Sequence, residues 1–271
     1  MEFAGNIRKM KGIPGSPIQY SLPLYDILER GEQVDMNALI GHEITLRYDG
    51  EIHCTVTGKR IRKAYGDGMS YDAFMQSPLA SPSIIRPELS RIHEGVALRD
   101  KEWEEAHHNQ PHIVYLSRTS SIKVGVTRTT NVPYRWIDQG ATEAIFFAEV
   151  PYRQLAGLIE VAMKDFLTDK TNWRNMLNGV VSDTTDLLEK KDELLEELPP
   201  EYEEFISDND EITTLEFPLE QHPVKVASIK LDKTPLVHGK LAGIKGQYLI
   251  FSDGRVMNMR SHSGYRIRLA T

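Results

Sequence analysis

The chain has 271 residues, of which 40% are hydrophobic and 26% are charged, and its formal net charge is −7. Such a chain is long enough to bury a core and has the composition of a globular protein. It contains no apolar run near the ~20 residues that a membrane-spanning helix needs, and no secretion signal. The single cysteine, Cys54, excludes an internal disulfide framework. We therefore expect a cytoplasmic protein outside the membrane.

The charges are unevenly distributed along the chain. Residues 182–220 contain 15 acidic and 2 basic side chains, whereas residues 221–271 contain 9 basic and 2 acidic ones. Two interpretations are open. The basic segment can face an anionic partner, or the acidic segment can neutralise it inside the fold.

The first third of the chain predicts short strands followed by irregular structure. Isoleucine, leucine, tyrosine and threonine between glycines and prolines predict strands at Asn6–Met10, Pro17–Leu24 and Glu43–Tyr48. Residues 51–100 contain several glycines and prolines without sustained periodicity, which indicates loops.

The central part predicts three strands with a short helix before the third. The strands are predicted at Ile113–Leu116, Ile122–Thr127 and Glu143–Val150. In the second strand, alternation places Lys123 and Thr127 on one face.

The short helix has start and stop signals of its own. Pro133 suits its first turn, and Thr130 or Asn131 can cap it. Gly140 is placed to end it, because glycine adopts the left-handed conformation at low cost.

A longer amphipathic helix is predicted at Tyr152–Leu167. Glu160 lies at the flank of its apolar face, one turn after Ala156 and Gly157, whose small size leaves room for a ligand or another backbone. The apolar face comprises Leu155, Leu158, Ile159, Ala162, Met163 and Phe166.

The last part of the chain predicts an acidic helix and a second β-rich segment. The helix, Thr184–Leu198, has a stripe of leucines and is stopped by prolines. Strands are predicted at Val224–Leu231, Gln247–Phe251 and Gly264–Leu269, with a hairpin turn at Ser252–Arg255.

Together these elements predict an α+β fold whose two β-rich ends can pair into one small sheet or barrel. The sequence predicts five segments: 1–50, β-rich; 51–106, loop-rich; 107–181, the central module; 182–220, the acidic helix and linker; and 221–271, basic and β-rich.

Several sequence motifs in the central part of the chain resemble those of an uncharacterised bacterial family, domain of unknown function 2797. These motifs are Gln110–Leu116, Lys123–Arg128 and Arg135–Ala141. The resemblance extends through Glu160 and Thr171–Arg174 to Gly243–Phe251. It covers nearly the whole chain, but this family brings no established activity.

More distantly, the central module resembles the GIY-YIG nuclease fold, in which two tyrosines, an arginine and a metal-binding glutamate form the site. The resemblance implies that Tyr115 stands at the first tyrosine position and Lys123 at the second. Arg135 and Glu160 stand at the arginine and glutamate positions. The lysine at the second position removes one candidate proton carrier.

This resemblance implies a catalytic set of Tyr115, Lys123, Arg135 and Glu160. Glu160 would hold Mg²⁺ against a phosphate, while Arg135 would offset its developing charge. Tyr115 would take a proton from water, which requires a lowered pKa. The side chains expected to contact nucleic acid or phosphate are Lys123, Thr127, Arg128, Arg135 and Arg174.

Each of these side chains also has an ordinary structural interpretation. Tyr115 can be a half-buried strand aromatic, and Lys123 can be a solvated edge residue. Arg135 can pair with Asp138 or cover Trp136, and Glu160 can be a helix-surface carboxylate.

Members of the same family carry a cysteine-rich zinc ribbon, and here every matching position except Cys54 has lost its thiolate. The matching positions are Cys54, Thr57, Ser70, Ala73, Ser83 and Ser90. Structural zinc needs paired thiolate or imidazole ligands, so we expect no zinc. Tyr65, Tyr71, Phe74 and Met75 are expected to hold this loop by packing.

Three functions follow as hypotheses. The first is binding of DNA, RNA or another phosphate ligand through Tyr115, Lys123, Arg135 and the basic tail. The second is a metal-dependent endonuclease that uses the same groove. The third is a protein-interaction module whose acidic helix is the contact surface.

Overall fold

The structure is a computed structural model that describes residues 1–167 and 172–271. The fold is α+β, as predicted, and the chain divides into two units. Unit 1 comprises Met1–Gln76 and Glu216–Thr271, and unit 2 comprises Ser77–Leu215. The five predicted segments divide the chain by sequence character, and that division remains a prediction.

Fifteen strands lie in the described residues. They are β1 (Glu2–Ile7), β2 (Lys11–Ile13), β3 (Gln19–Asp26), β4 (Glu29–Asp35), β5 (Glu43–His53), β6 (Arg60–Ile61), β7 (His112–Arg118), β8 (Ile122–Arg128), β9 (Glu143–Val150), β10 (Thr213–Thr214), β11 (Ala227–Ser228), β12 (Leu236–Lys245), β13 (Tyr248–Phe251), β14 (Arg255–Asn258) and β15 (Tyr265–Ala270).

Six α-helices lie in the same residues, and none of them has the length and apolar character that a membrane crossing requires. They are α1 (Tyr71–Gln76), α2 (Lys101–His108), α3 (Tyr134–Gln139), α4 (Arg153–Met163), α5 (Trp173–Asn178) and α6 (Leu187–Glu197). Short 3₁₀ helices include Pro82–Ile84, Pro87–Leu89 and Lys164–Phe166.

Unit 1 contains a sheet in which the two ends of the chain pair, so that prediction is confirmed. Its strand order is β11-β14-β13-β12-β5-β15-β1-β3-β2, with β4 on β3 and β6 on β5. The central strand β5 pairs with β12 on one side and β15 on the other. Its alternate residues Ile44 and Leu46 are buried beside Ile267 and Leu269, as expected for a strand with one apolar face.

The C-terminal strands differ from the predicted ones. The strand predicted at Val224–Leu231 is wrong: only Ala227–Ser228 is extended, and Val224 is 98% exposed. Strand β12 gives no alternating signal in the sequence, because Gly239 and Gly243 interrupt its apolar pattern. The predicted turn at Ser252–Arg255 is confirmed, since Gly254 has a φ of 84° between β13 and β14.

Unit 2 contains a four-stranded sheet in the order β10-β9-β7-β8. Strand β7 pairs with both β8 and β9, and all its residues except Arg118 are buried. Val114 and Leu116 belong to the apolar core that also contains residues of α4 and α6. Alternation along β7 therefore directs Tyr115 to the opposite face of the sheet.

Helix α4 is shorter than predicted, and its buried face is rotated. It ends at Met163 and continues as a 3₁₀ turn over Lys164–Phe166. Leu158 and Phe166, predicted to be buried, are 38% and 44% exposed. The buried arc instead includes Ala156 and Gly157, because the Pro87–Leu89 turn packs on that side of the helix.

Helix α3 begins without the predicted cap. Pro133 occupies the N-cap position, and no side chain caps the helix. The Asn131 amide instead donates a hydrogen bond to Thr127 Oγ1 (3.1 Å), so the predicted cap at Thr130 or Asn131 is wrong. Gly140 ends the helix in the left-handed conformation, with a φ of 73°, as predicted.

The acidic helix α6 is an integral part of unit 2. Its leucines Leu187 and Leu194, together with Leu198, are buried in the same core as Ile145 and Phe147. The opposite side of α6 is a shallow acidic surface lined by Asp186, Leu188, Glu189, Asp192, Glu193 and Glu196. The helix therefore stabilises the fold, whatever its outer face contacts.

Candidate functional site

Tyr115 and Gly125 form a cross-strand pair on β7 and β8. A Cβ atom built on Gly125 would lie 2.6 Å from both Cζ and Oη of Tyr115. Any side chain at position 125 would therefore push the ring away. A glycine is therefore required at position 125, because the Tyr115 ring covers its backbone.

The Tyr115 side chain is enclosed and hydrogen-bonded. Its hydroxyl donates to Gln139 Oε1 at 2.9 Å, and its ring meets the edge of Trp136 with centroids 5.8 Å apart. Burial raises the pKa of the phenol above its usual range, and the charge and hydrogen bond of Arg135 offset only part of that rise. A base for water needs the opposite shift. Tyr115 is thus a neutral phenol with its proton already donated.

Lys123 and Arg135 bring two cations to the same area. Burial, together with the positive charge of Arg135, lowers the pKa of the half-buried Lys123 to about 8. Arg135 lies in the first turn of α3, and its Nε atom is buried without a hydrogen-bond partner among the described residues. A buried N–H without an acceptor costs about 1–3 kcal/mol, which an incoming oxyanion would recover.

Glu160 lies on α4 close enough to Tyr115 and Arg135 to interact electrostatically with both. Burial raises the pKa of its carboxyl group, whereas the charges of Lys164 and Arg153 lower it in part. Lys164 Nζ is 3.9 Å from a Glu160 carboxylate oxygen. Arg135 therefore has Tyr115, Lys123 and Glu160 as electrostatic neighbours, and the role of these four residues as one site stays a prediction.

Two further charged residues belong to this group and are not among the predicted site residues. Arg153 donates from Nε and Nη2 to the Ser83 carbonyl (3.1 and 2.9 Å) and from Nη2 to the Ile84 carbonyl (3.1 Å). Burial lowers the pKa of its guanidinium to about 10; Glu160 opposes this shift, and the charges of Arg135 and Arg128 add to it. Glu88 interacts with both Arg153 and Glu160.

Only one of these two residues could have been found from the sequence. Arg153 precedes Glu160 by seven positions, so both lie on one face of a helix with 3.6 residues per turn. Glu88 reaches the site because the Pro87–Leu89 turn packs against Gly157. That contact between distant segments has no local sequence signal.

The other predicted phosphate-binding residues have mixed placements. Arg128 is half-buried on β8 and contributes to the charge around Arg153. Thr127 is buried, and its hydroxyl accepts the Asn131 amide hydrogen bond. Arg174 is exposed on α5 with its guanidinium 4.4 Å from the Trp173 ring centroid, and it is not among the charges that shift the pKa values of Tyr115, Lys123 and Glu160. Thr171 lies outside the described residues.

The carboxylates of this site do not fit a magnesium centre. Glu88 Oε1 pairs with Arg86 Nε at 2.9 Å, and Glu160 has Lys164, Arg153 and Arg135 as cationic neighbours. Mg²⁺ is usually bound through one or two carboxylates together with waters and substrate phosphates, and the protein cations beside Glu160 and Glu88 compete with it for these carboxylates. Within residues 1–167 and 172–271, no group of three His, Cys, Asp or Glu side chains is arranged to hold a metal ion. We therefore derive no step through a metal.

The loop with the lost cysteines is held by hydrogen bonds to its remaining thiol. Cys54 Sγ accepts from the backbone N–H of Thr57 (3.4 Å) and of Ser70 (3.2 Å). Burial raises the pKa of the thiol, but the hydrogen bonds from Thr57, Ser70 and Val56 outweigh this effect and lower it to about 6. Met75 is 42% exposed, whereas Tyr71, although 56% exposed, packs edge to face with Tyr65 at a centroid distance of 5.3 Å.

Five of the nine cations of the basic tail form ion pairs within unit 1. Their partners include carboxylates from distant parts of that unit rather than the acidic helix. The pairs are Lys240–Glu220, Arg255–Asp253, Arg260–Asp67, Arg266–Asp26 and Arg268–Asp49. These five pairs neutralise part of the tail charge within unit 1, and one of the partners, Glu220, belongs to the acidic segment 182–220.

Comparison with known proteins gives one match. A family described as "Protein of unknown function (DUF2797)" matches residues 41–267. No curated protein and no solved structure matches the chain.

Proposed function

We propose a function from the site itself, because the chain belongs to the DUF2797 family, whose function is unknown. The protein binds the phosphate groups of a nucleic acid or of a phosphate-bearing ligand through Lys123, Arg128, Arg135 and Arg153. It binds them without cleaving them.

The observation that supports this proposal is the concentration of positive charge around Tyr115. The charge of Arg135 adds to the effect of burial and lowers the pKa of both Lys123 and Arg153, and the charge of Arg128 also acts on Arg153. Against these four cations, the group contains two carboxylates, Glu88 and Glu160. Like charges held together in a partly buried site are stabilised by an anion, and guanidinium groups match phosphate oxygens with parallel N–H donors.

Cleavage is disfavoured by the state of the groups that would perform it. The Tyr115 proton is donated to Gln139 Oε1, and burial raises the pKa of the phenol. Glu160 is surrounded by protein cations, which compete with a metal ion for its carboxylate. The geometry supports recognition of a phosphate more than transfer of a proton.

The proposal is tested by anisotropy titrations of labelled single-stranded DNA and RNA at ~50 to 200 mM salt, with inorganic phosphate as a competitor. We expect binding that weakens as salt rises, because phosphate contacts release counterions. Arg135→Ala should weaken it by about tenfold or more, since hydrogen bonds to charged groups contribute about 1.5–3 kcal/mol. Competition by phosphate alone would identify a small ligand; preference for a polymer would identify a nucleic acid.

Arg99→Ala is the matched control, because Arg99 is an exposed arginine of the same unit. Its affinity should equal that of the wild type. Absence of binding at ~50 mM salt, or equal effects of the two substitutions, would overturn the proposal. Incubation of wild type and Glu160→Gln with supercoiled DNA and Mg²⁺ tests cleavage; cutting that Glu160→Gln abolishes would establish the endonuclease instead.

A further inference from the structure

We propose that the ring of Tyr134 is a stacking platform for an unpaired nucleobase, so that the ligand of the phosphate site is a single-stranded nucleic acid. This inference rests on the proposed function and deepens it, because it names the substrate class. Tyr134 is not among the residues that the family resemblance implies for the site.

The first observation is that the Tyr134 side chain is 46% exposed and has no partner of its own. Within the described part of the chain, it forms no hydrogen bond, ion pair or ring contact. Other rings of unit 2 pack against a second ring, as Tyr115 does against Trp136 and Tyr152 does against His93. Nearly half of the Tyr134 surface is therefore available to a planar ligand.

The second observation is the place of this ring on α3. Tyr134 is the first residue of the helix, and the next two positions after Arg135, Trp136 and Ile137, are buried. Helical side chains lean toward the N-terminus and cover the preceding turn, and no turn of α3 precedes Tyr134. The ring therefore extends beyond the start of a helix that is anchored in the core, and a ring held in this way loses little entropy on stacking.

The third observation is that Tyr134 is joined directly to a proposed phosphate contact. Consecutive Cα atoms lie about 3.8 Å apart, so the ring of Tyr134 and the guanidinium of Arg135 branch from neighbouring points of the backbone. Arg135 Nε is buried without a hydrogen-bond partner among the described residues. A base and its phosphate are linked through one sugar, and a base on Tyr134 therefore brings its phosphate toward Arg135.

An aromatic ring beside backbone-binding cations is the arrangement with which proteins hold single strands. Inorganic phosphate would use the cations alone and leave the ring without a function. In a duplex each base is already stacked and paired, whereas the bases of a single strand are free to stack on a side chain. The combination of Tyr134 with Arg135 therefore favours a single strand over both of these ligands.

The test compares two labelled ligands of equal length in the full-length protein: oligothymidylate, and an abasic oligomer with the same sugars and phosphates. The wild type should bind oligothymidylate about tenfold more tightly, because stacking on an aromatic side chain stabilises each bound base. Tyr134→Ala should remove this difference by weakening oligothymidylate binding, and its affinity for the abasic oligomer should equal that of the wild type. Tyr134→Phe keeps the ring and should retain the difference.

Phe166→Ala is the matched control, because Phe166 is a 44% exposed aromatic of the same unit whose chain neighbours are Asp165 and Leu167. It should change neither affinity. Thermal unfolding of each variant checks that the fold is retained. Should Tyr134→Ala not fold, Tyr134→Leu gives the same comparison, since leucine retains apolar volume without an aromatic face.

The salt dependence separates stacking from a structural effect on α3. Stacking releases no counterions, so Tyr134→Ala should leave the slope of log affinity against log salt unchanged. Arg135→Ala should reduce that slope by about one. A distorted α3 would instead weaken both oligomers in Tyr134→Ala and reduce its slope, which would overturn the platform.

The failures of the platform and of the proposed function are distinguishable. If the wild type binds the two oligomers equally, or if Tyr134→Ala retains the preference for bases, only the platform is overturned. If the wild type binds neither oligomer nor inorganic phosphate, the proposed function falls and the platform falls with it.

Discussion

Lys123 is a proposed phosphate contact whose charge changes close to neutral pH. Burial and the Arg135 charge lower its pKa to about 8, so its charge is mostly present at pH 7 and mostly lost at pH 9. A bound phosphate favours the charged amine; affinity is therefore highest below this pKa and falls as the pH rises through it. We expect about tenfold weaker oligonucleotide binding at pH 9 than at pH 7.

The measurement is a series of titrations at constant ionic strength. Lys123→Arg keeps its charge across this range and should give a flat profile. An unchanged decline in Lys123→Arg would show that another group carries the pH dependence.

His108 and His112 are buried histidines of unit 2 that the fold keeps neutral. Burial lowers the pKa of His108 to about 3 and that of His112 to about 4, with the charge of Arg153 contributing to both. The His112 Nδ1 proton is donated to the Gln110 carbonyl at 2.7 Å. Neither ring is therefore expected to act as an acid or base near neutral pH.

These histidines predict an acid-sensitive fold. Both folded-state pKa values are depressed, so the stability they contribute is complete above the unfolded value of about 6.5 and is lost as pH falls toward about 4. We expect the free energy of unfolding to fall by about 1.4 kcal/mol per pH unit for each histidine in that window. Urea unfolding at several pH values measures this slope; the double variant His108→Asn/His112→Asn should flatten it, and an unchanged slope would refute the assignment.

The packing of α4 at Gly157 reverses the usual effect on stability of replacing a helical glycine with alanine. Replacing glycine with alanine inside a helix usually stabilises it by up to about 1 kcal/mol. Here a Cβ atom would overlap the backbone of Glu88, which cannot move without displacing the Pro87–Leu89 turn. We expect Gly157→Ala to destabilise the protein by about 1–3 kcal/mol.

Thermal or urea unfolding measures this effect. Val161→Ala on the exposed side of α4 is the control and should be neutral or slightly stabilising, because alanine has the higher helix propensity. A gain in stability for Gly157→Ala would mean that the Pro87–Leu89 turn can move away from α4, and that Glu88 is not fixed beside Glu160.

Elements with strong local signals were predictable from the sequence. Periodicity gave β7, β8 and β9 to within two residues at each end, and Gly140 marked the end of α3. The proximity of Arg135 to Tyr115, Lys123 and Glu160 followed from the resemblance to a known arrangement of strands and helices. Their roles remain predictions.

The remaining features depend on contacts between distant segments. The acceptor role of Gln139 depends on the burial of Tyr115, and the place of Glu88 depends on a turn that packs against Gly157. Strand β12 exists because β5 and β13 pair with it, despite its two glycines. Local periodicity carries none of this information, since burial is decided by the partner segment.

At the scale of the whole molecule, every proposed phosphate contact lies in unit 2, Ser77–Leu215. This unit has its own apolar core, and five of the nine tail cations of unit 1 are in ion pairs. We therefore expect a fragment of residues 77–215 to fold and to bind the labelled oligonucleotide within about threefold of the full-length affinity. Circular dichroism and anisotropy measure both properties. A folded fragment that does not bind would show that unit 1 supplies essential contacts.

Strand β5 has both of its long neighbours, β12 and β15, near the far end of the chain. During translation, residues 1–76 therefore leave the ribosome long before the strands that flank β5 exist. Unit 2 is continuous in sequence and can fold as soon as its last residue emerges. A ribosome that stops after Leu215 would release a folded unit 2 joined to an incomplete sheet with exposed edges, a product for chaperones and proteases to recognise.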